Sequence, residues 1–379
     1  MNSNIALNQQ KDIVIPREWN GGVGNAIGVE GGAFGFQRQM AKLLYRFHPD
    51  QHGTINPDHH PDLKNTEPVF DFPENQRWEN ISTFHPFGHR AAADHATLLE
   101  EGVRFLPTIS VTRSRFKQFG ILAQILAGQL KPDGKVLLDD GSYEVTDVNI
   151  DPVWDIDGVA ERLDMPVKSI RDFARAQAGK YMTGKVPYFL PPMDGPNVHI
   201  FGDPALLQDP ETVIAARSHD YCRDGDNGAM RCVCAAQKQY ATEEMIRVAQ
   251  NGGVGLLVLN PEEGRNFGSV PKHLVYGKRS RMEGGDREET YFRATQEIFG
   301  GDDARMHWTK ADVFKWLLPY GRIDHWFSES PHKRDSLEAG GIQIVRQYEL
   351  PKDRIHPLAF VEINAKRGNG YHGESKPQS

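Results

Sequence analysis

The sequence predicts an α/β (α+β) protein with two folded parts. Beyond residue 205, aliphatic runs alternate with helical patterns. Between about residues 100 and 178, a strand, a helix, a hairpin and a helical pair succeed one another. A Pro- and Gly-rich stretch, YFLPPMDGPNVHIFGDP, separates the two. The expected divisions are a loop-rich arm over 1–65, an α+β domain over 66–195, a mixed-sheet domain over 196–350 and a tail over 351–379.

The arm contains GGVGNAIGVEGGAFG, whose glycine spacing is wrong for a dinucleotide fingerprint and which no apolar strand precedes; it reads as a mobile lid or arm. His48, His52, His59 and His60 read as surface loop histidines rather than metal ligands. RFLPTISVT is strand-like, KQFGILAQILAG suits a buried helix, and KVLLDDGSYEV is a hairpin turning at Asp140 and Gly141. GVAERLDMPVKSIRDFARAQ reads as two short helices packing Val159, Leu163, Ile170 and Phe173 inward. Its likeness to a helix-turn-helix, with Lys168, Arg171 and Arg175 on the second helix, offers the rival function of a nucleotide-sensing DNA-binding regulator. In the last domain TVIAARS, GVGLLVLN, RIDHWFS and GIQIV are strands, and ATEEMIRVAQ, ETYFRATQEIF, ADVFKWLL and HKRDSLEA are helices.

A formal net charge of -7 disfavours bulk nucleic-acid binding but permits a local basic pocket. No run of about 18 apolar residues offers a membrane span. MNSNIALNQQKDIVIP lacks the apolar core of a signal peptide, so a cytoplasmic protein is expected.

All 3 cysteines fall within YCRDGDNGAMRCVC. One intervening residue places Cys232 and Cys234 on one side of an extended turn, and the Gly-containing loop returns Cys222 to them. Three thiolates suit Zn2+ with one position left for water, the open arrangement of catalytic sites. His219, Asp220 or Asp224 could instead close the fourth place in a structural site. A third reading makes the cysteines ordinary buried small residues. After the strand GLLVLN, the loop NPEEGRNFGSVPK carries Glu262, Glu263, Arg265 and Lys272 at the strand's carboxyl end, where open α/β sheets bind ligands.

RSHDYC, RCVCAAQ, EEGRNFGSVPK, DARMHW and SESPHK together resemble, in order, the motifs of GTP cyclohydrolase II over about residues 198 to 346. The resemblance implies Cys222, Cys232 and Cys234 as zinc ligands. It implies nucleotide contacts from Arg217, Gln237, Glu263, Gly264, Arg265, Ser328 and Lys333, to which His219 and Lys272 are added as substrate-binding residues. Asp303, Arg305 and Tyr276 are implied as catalytic, with Asp303 a proton acceptor and Arg305 a nucleophile or a phosphate partner. Arg305, Arg265, Lys272 and Lys333 would hold phosphate oxygens. A homodimer is implied too, and Mg2+ would enter only with a triphosphate substrate.

The departures bear on substrate. The family's Ser-Glu before the first zinc cysteine is Asp220 and Tyr221 here, the loop to Cys232 is one residue shorter, Val233 separates the second pair, and Arg287 replaces a threonine. The His-Asp-x-Cys form, the segment Gly284 to Asp286 and the long amino-terminal extension containing PTISVT resemble the uracil-catabolism branch, which opens the pyrimidine ring of UMP. The expected activity is therefore zinc-dependent opening of the base ring of a nucleotide, UMP before GTP, with no membrane or nucleic-acid partner. A zinc-stabilised scaffold without catalysis is the remaining alternative.

Overall fold

The computed structural model describes residues 16–19, 22–25, 43–44, 46–48, 81–84, 109–178, 188–189, 193–283, 285–368 and 370. Two compact units emerge: one of residues 1–112 and 148–196, the other of 113–147 and 197–379. Of the arm's histidines, His48 is exposed, and His52, His59 and His60 lie outside the described residues. Most of the glycine stretch lies outside them as well.

In the first unit β1 (Pro16–Trp19) and β2 (Gly22–Asn25) form an antiparallel pair. β5 (Trp154–Asp155) pairs antiparallel with β6 (Tyr188–Phe189). Helix α2 (Ile156–Arg162) starts where the Asp155 side chain accepts from the Asp157 N–H, and α3 (Val167–Ala178) follows. Val159 and Ile170 are buried as expected, but Phe173 is exposed. On α3, Lys168 pairs with Asp172 and Arg171 lies 3.7 Å from Asp157, while the Arg175 side chain lies outside the described ones.

A seven-stranded sheet has the order β11-β10-β8-β9-β7-β4-β3, with β3 at Ile109–Lys117, β4 at Ser142–Ile150, β7 at Asn197–Phe201, β8 at Ile214–Asp220, β9 at Val254–Asn260, β10 at Arg322–Trp326 and β11 at Gln343–Gln347. β8, β9, β10 and β11 run parallel, and β7 is antiparallel to β9, so the sheet is mixed, as expected. The strand β3 begins inside RFLPTISVT but continues to Lys117. The hairpin forms as expected: Leu137 bridges Tyr143, and Asp140 Oδ1 accepts from the Ser142 N–H in the turn. Between them α1 (Phe119–Leu126) is not the buried helix its apolar content suggests; only Ile121 is buried, and Phe119 is 93% exposed.

Every residue of β9 is buried, as expected of a central strand in a parallel set. Helix α5 (Cys234–Gln250) lays Ala241, Met245, Ile246 and Ala249 into a core with Ala215, Leu257, Leu259 and Phe201. This packing fixes both ends of the site: Cys234 opens α5, while β8, β9 and β10 bring their carboxyl ends side by side. The remaining helices of this unit are α4 (Arg223–Asp226), α6 (Ser269–Arg281), α7 (Glu288–Phe299), α8 (Lys310–Leu317), α9 (Pro331–Ala339) and α10 (Phe360–Gly368). Residues after 350 form a second cluster beside the start of α5, where Leu350, Ile355, Ala359 and Ile363 pack with Val233. Among the described residues no helix is long and apolar enough to cross a membrane.

Candidate metal centre and active site

The three cysteine sulfurs lie within 4.8 Å of one another, and no carboxylate or imidazole joins them among the described residues. They converge by a route other than an extended turn. Cys222 is the N-cap of α4, its sulfur accepting from the Gly225 N–H at 3.2 Å, and Cys234 is the first residue of α5. Gly225 is required for close approach: a Cβ there would sit 3.0 Å from Cys234 Cβ and 3.4 Å from Cys222 Sγ. Lys272 Nζ donates to Cys222 Sγ at 3.0 Å. The neighbouring sulfurs and then Lys272 push the Cys222 thiol down, while proton sharing with Cys222 and burial push Cys232 up and Cys234 to about 12. Three such sulfurs cannot all ionise side by side without a cation between them, and with Zn–S distances of about 2.3 Å this donor set fits zinc.

The sulfurs line a cleft of about 620 Å³ with Asp220, Glu262, Gly264, Arg265, Lys272, Tyr276, Arg305, Glu362 and Lys366. A second cleft of about 560 Å³ shares Asp220, Cys234, Arg265, Arg305 and Lys366 with it and adds Arg217, His219, Gln237, Ser328 and Lys333. Every metal and substrate-binding residue expected from the sequence, except Glu263, lines one cleft or both. Glu263 stands just behind, accepting from Lys272 Nζ at 2.7 Å and from the Arg223 N–H at 2.6 Å. Lys272 is thus committed to a thiol and to carboxylates, Asp224 at 3.3 Å among them, rather than to an external phosphate.

Arg305 is held on both sides. It donates through Nε and Nη2 to Asp303 and through Nη1 to Asp220 at 2.6 Å. Burial lowers its pKa, but the two carboxylates raise it further, so the guanidinium stays charged. Burial raises the Asp303 carboxyl, yet His307 and Arg305 outweigh this and hold it well below the usual range. Asp303 lies behind Arg305 and lines neither cleft. Asp220, whose burial is overcome by Lys310, Lys333 and Arg305, is also held ionised. Lys333 reaches Asp220 at 2.9 Å and the Ser218 carbonyl at 3.0 Å, and burial brings its ammonium down to about 7.

Arg217 spans Gln237 (2.9 Å), the Phe327 carbonyl and His219 Nδ1 (3.2 Å). His219 is buried, and burial and Arg217 hold it well below its ordinary pKa, so it is neutral and accepts at Nδ1. Ser328 Oγ accepts from the Ser330 N–H at 3.4 Å. The loop after β9 has left-handed backbone at Gly264 (φ 62), Arg265 (φ 58) and Asn266 (φ 66), a strained run of the kind concentrated at ligand sites. It turns Arg265 towards Thr295, the faces of Tyr291 and Phe292, and both clefts.

The GTP cyclohydrolase N-terminal family matches residues 8–174. Uracil-regulated protein 1 of Schizosaccharomyces pombe is 36% identical over 362 residues, 93% of this chain and 80% of its own length. This chain belongs to the GTP cyclohydrolase II superfamily, on its uracil-regulated branch. A relative from Lachancea kluyveri named "Putative GTP cyclohydrolase URC1" is 34% identical over 93% of this chain and 79% of its own length. The GTP cyclohydrolase-2 of Buchnera aphidicola from Schizaphis graminum is 34% identical over 36% of this chain and 64% of its own length.

The clefts of this cyclohydrolase also hold residues that the sequence motifs do not mark, among them an acid and a lysine on one helix. Glu362 and Lys366 project from α10, beyond the stretch that carries the motif resemblance. Their i, i+4 spacing was the available signal.

Proposed function

We propose that the protein is a zinc-dependent cyclohydrolase that opens the base ring of a nucleotide, UMP in preference to GTP. The observation that carries this is one continuous site in which three clustered thiols, two of them buried, adjoin a cation-rich second cleft. A zinc ion on the sulfurs would supply Lewis acidity and water activated near neutral pH.

The chain's own residues do the rest. The Gly225 N–H and Lys272 hold the Cys222 sulfur in its anionic form. Arg217, Arg265 and Lys333 bring positive charge to the second cleft, where a phosphate would lie while its base reaches the thiol cleft. Ring opening adds water across a ring C–N bond, which then breaks as the leaving nitrogen takes a proton. The Tyr276 phenol, kept neutral by burial and then by Glu362, lines the thiol cleft as a hydrogen donor for that nitrogen. Lys333, poised near neutrality, is the group in the second cleft best suited to exchange a proton with bound ligand. Arg305, charged and held through all three nitrogens, acts as a clamp with Asp303 and Asp220 and not as a nucleophile. A monophosphate needs no nucleophile at that place, because it has no pyrophosphate to expel.

Incubating the purified, zinc-loaded chain with UMP and with GTP and following loss of ring absorbance tests the reading. UMP is expected to turn over faster; turnover of neither would remove the catalytic assignment. A cytoplasmic homodimer remains part of the proposal, and light scattering in solution would give its mass.

A further inference from the structure

Glu362 is only 5% exposed, yet it lines the cleft that holds the three sulfurs. Its helix is anchored, with Ile363 in one cluster and Ala365 against Tyr291 and Phe292 in another, so its position is set by packing. One carboxylate oxygen, Oε1, accepts from Lys366 one turn along. The other, Oε2, is buried with no hydrogen-bond partner among the described residues. A buried carboxylate oxygen without a donor is costly and calls for one. Lys366 carries only donors and lines both clefts. The two residues therefore present an acceptor beside a donor.

We propose that Glu362 and Lys366 read the edge of the base, selecting one that places an amide N–H beside a carbonyl. Uracil offers this edge at N3–H and its adjoining carbonyls; cytosine, whose N3 is an acceptor, sets a donor beside an acceptor only at N4–H2 and N3, one place along the edge. The inference rests on the nucleotide reading above and deepens it to a class of base. Because Lys366 already occupies Oε1, a single acceptor remains, which suits one N–H flanked by carbonyls. In Glu362→Gln the donors of Lys366 would hold the carboxamide oxygen, turning the NH2 group into the cleft. The edge would then read donor beside donor, which matches N3 and O2 of cytosine.

The test is equilibrium binding of UMP, CMP and N3-methylated UMP to the zinc-loaded full chain, by calorimetry, with zinc content measured in parallel. Wild type is expected to prefer UMP over CMP and over the methylated analogue by on the order of tenfold or more. Glu362→Gln is expected to shift the UMP-to-CMP preference towards CMP by a similar factor at unchanged zinc content. A ratio in E362Q within about twofold of wild type, or methylated UMP bound by wild type as well as UMP, overturns the proposal; the second measurement needs no variant to fold. If wild type selects UMP through Glu362 but opens neither UMP nor GTP, the hydrolytic reading falls and the recognition stands. If it opens UMP while E362Q keeps the wild-type ratio, this inference alone falls.

Discussion

At the scale of single residues, charge compensation decides what each side chain can do. Arg305, Lys333 and Lys310 converge on Asp220, at 2.6, 2.9 and 3.5 Å. Asp303 closes the far side of Arg305. Removing one member of such a partly buried set leaves its partner uncompensated, so Asp303→Asn is expected to cost on the order of 3 kcal/mol in urea unfolding at pH 7. The sign of its pH dependence follows from the depressed carboxyl: the stabilisation is complete above the unfolded pKa, about 3.9, and is lost as pH falls through the lower folded value. Wild type and Asp303→Asn should therefore converge in stability below about pH 4. A gap that stays constant down to pH 3 would show that Asp303 is not held ionised by Arg305 and His307.

Among the elements, the loop after β9 carries the most local strain. Gly264 has φ 62, and a Cβ there would stand 2.7 Å from the Gly268 carbonyl oxygen. Gly264→Ala should lower stability by roughly 1–3 kcal/mol and disturb the chain of contacts from Glu263 through Lys272 to Cys222. Urea unfolding and zinc affinity would both register the change, and wild-type values for both would contradict it. The segment's place as a loop was legible in the sequence, because glycines and charges follow an aliphatic strand. β8, β9 and the hairpin at Gly141 were legible for the same reason, since their patterns reflect burial on known faces. Helix α1 was misread because apolar content does not say which neighbour covers it: Phe119 and Leu126 are exposed, and Ile121 alone is buried. The convergence of the thiols was legible, but its means was not. Their spacing suggested an extended turn, whereas Cys222 caps α4 and Cys234 begins α5. Glu362 and Lys366 escaped notice because a Glu-x3-Lys pair on a helix is ordinarily a solvated surface pair; only the packing of α10 turns it into the cleft.

Over the whole molecule, a net charge of -7 coexists with a cleft where cations gather, so attraction to anions is local. The same sulfurs join three helices, α4, the start of α5 and, through Lys272, α6. A cation bound only by the assembled trio should thus stabilise the folded chain by mass action, by about 2.7 kcal/mol at a free concentration 100 times its Kd. For a chain of 379 residues that corresponds to a rise in Tm of roughly 3–4 °C. Wild-type protein stripped with a chelator should melt lower and recover when zinc is restored. Cys232→Ser, with one ligand removed, should hold little zinc, and its Tm should ignore both treatments. A wild-type Tm indifferent to chelator and zinc would mean that the sulfurs do not hold a metal in the folded protein, and the hydrolytic reading would lose its chemical basis.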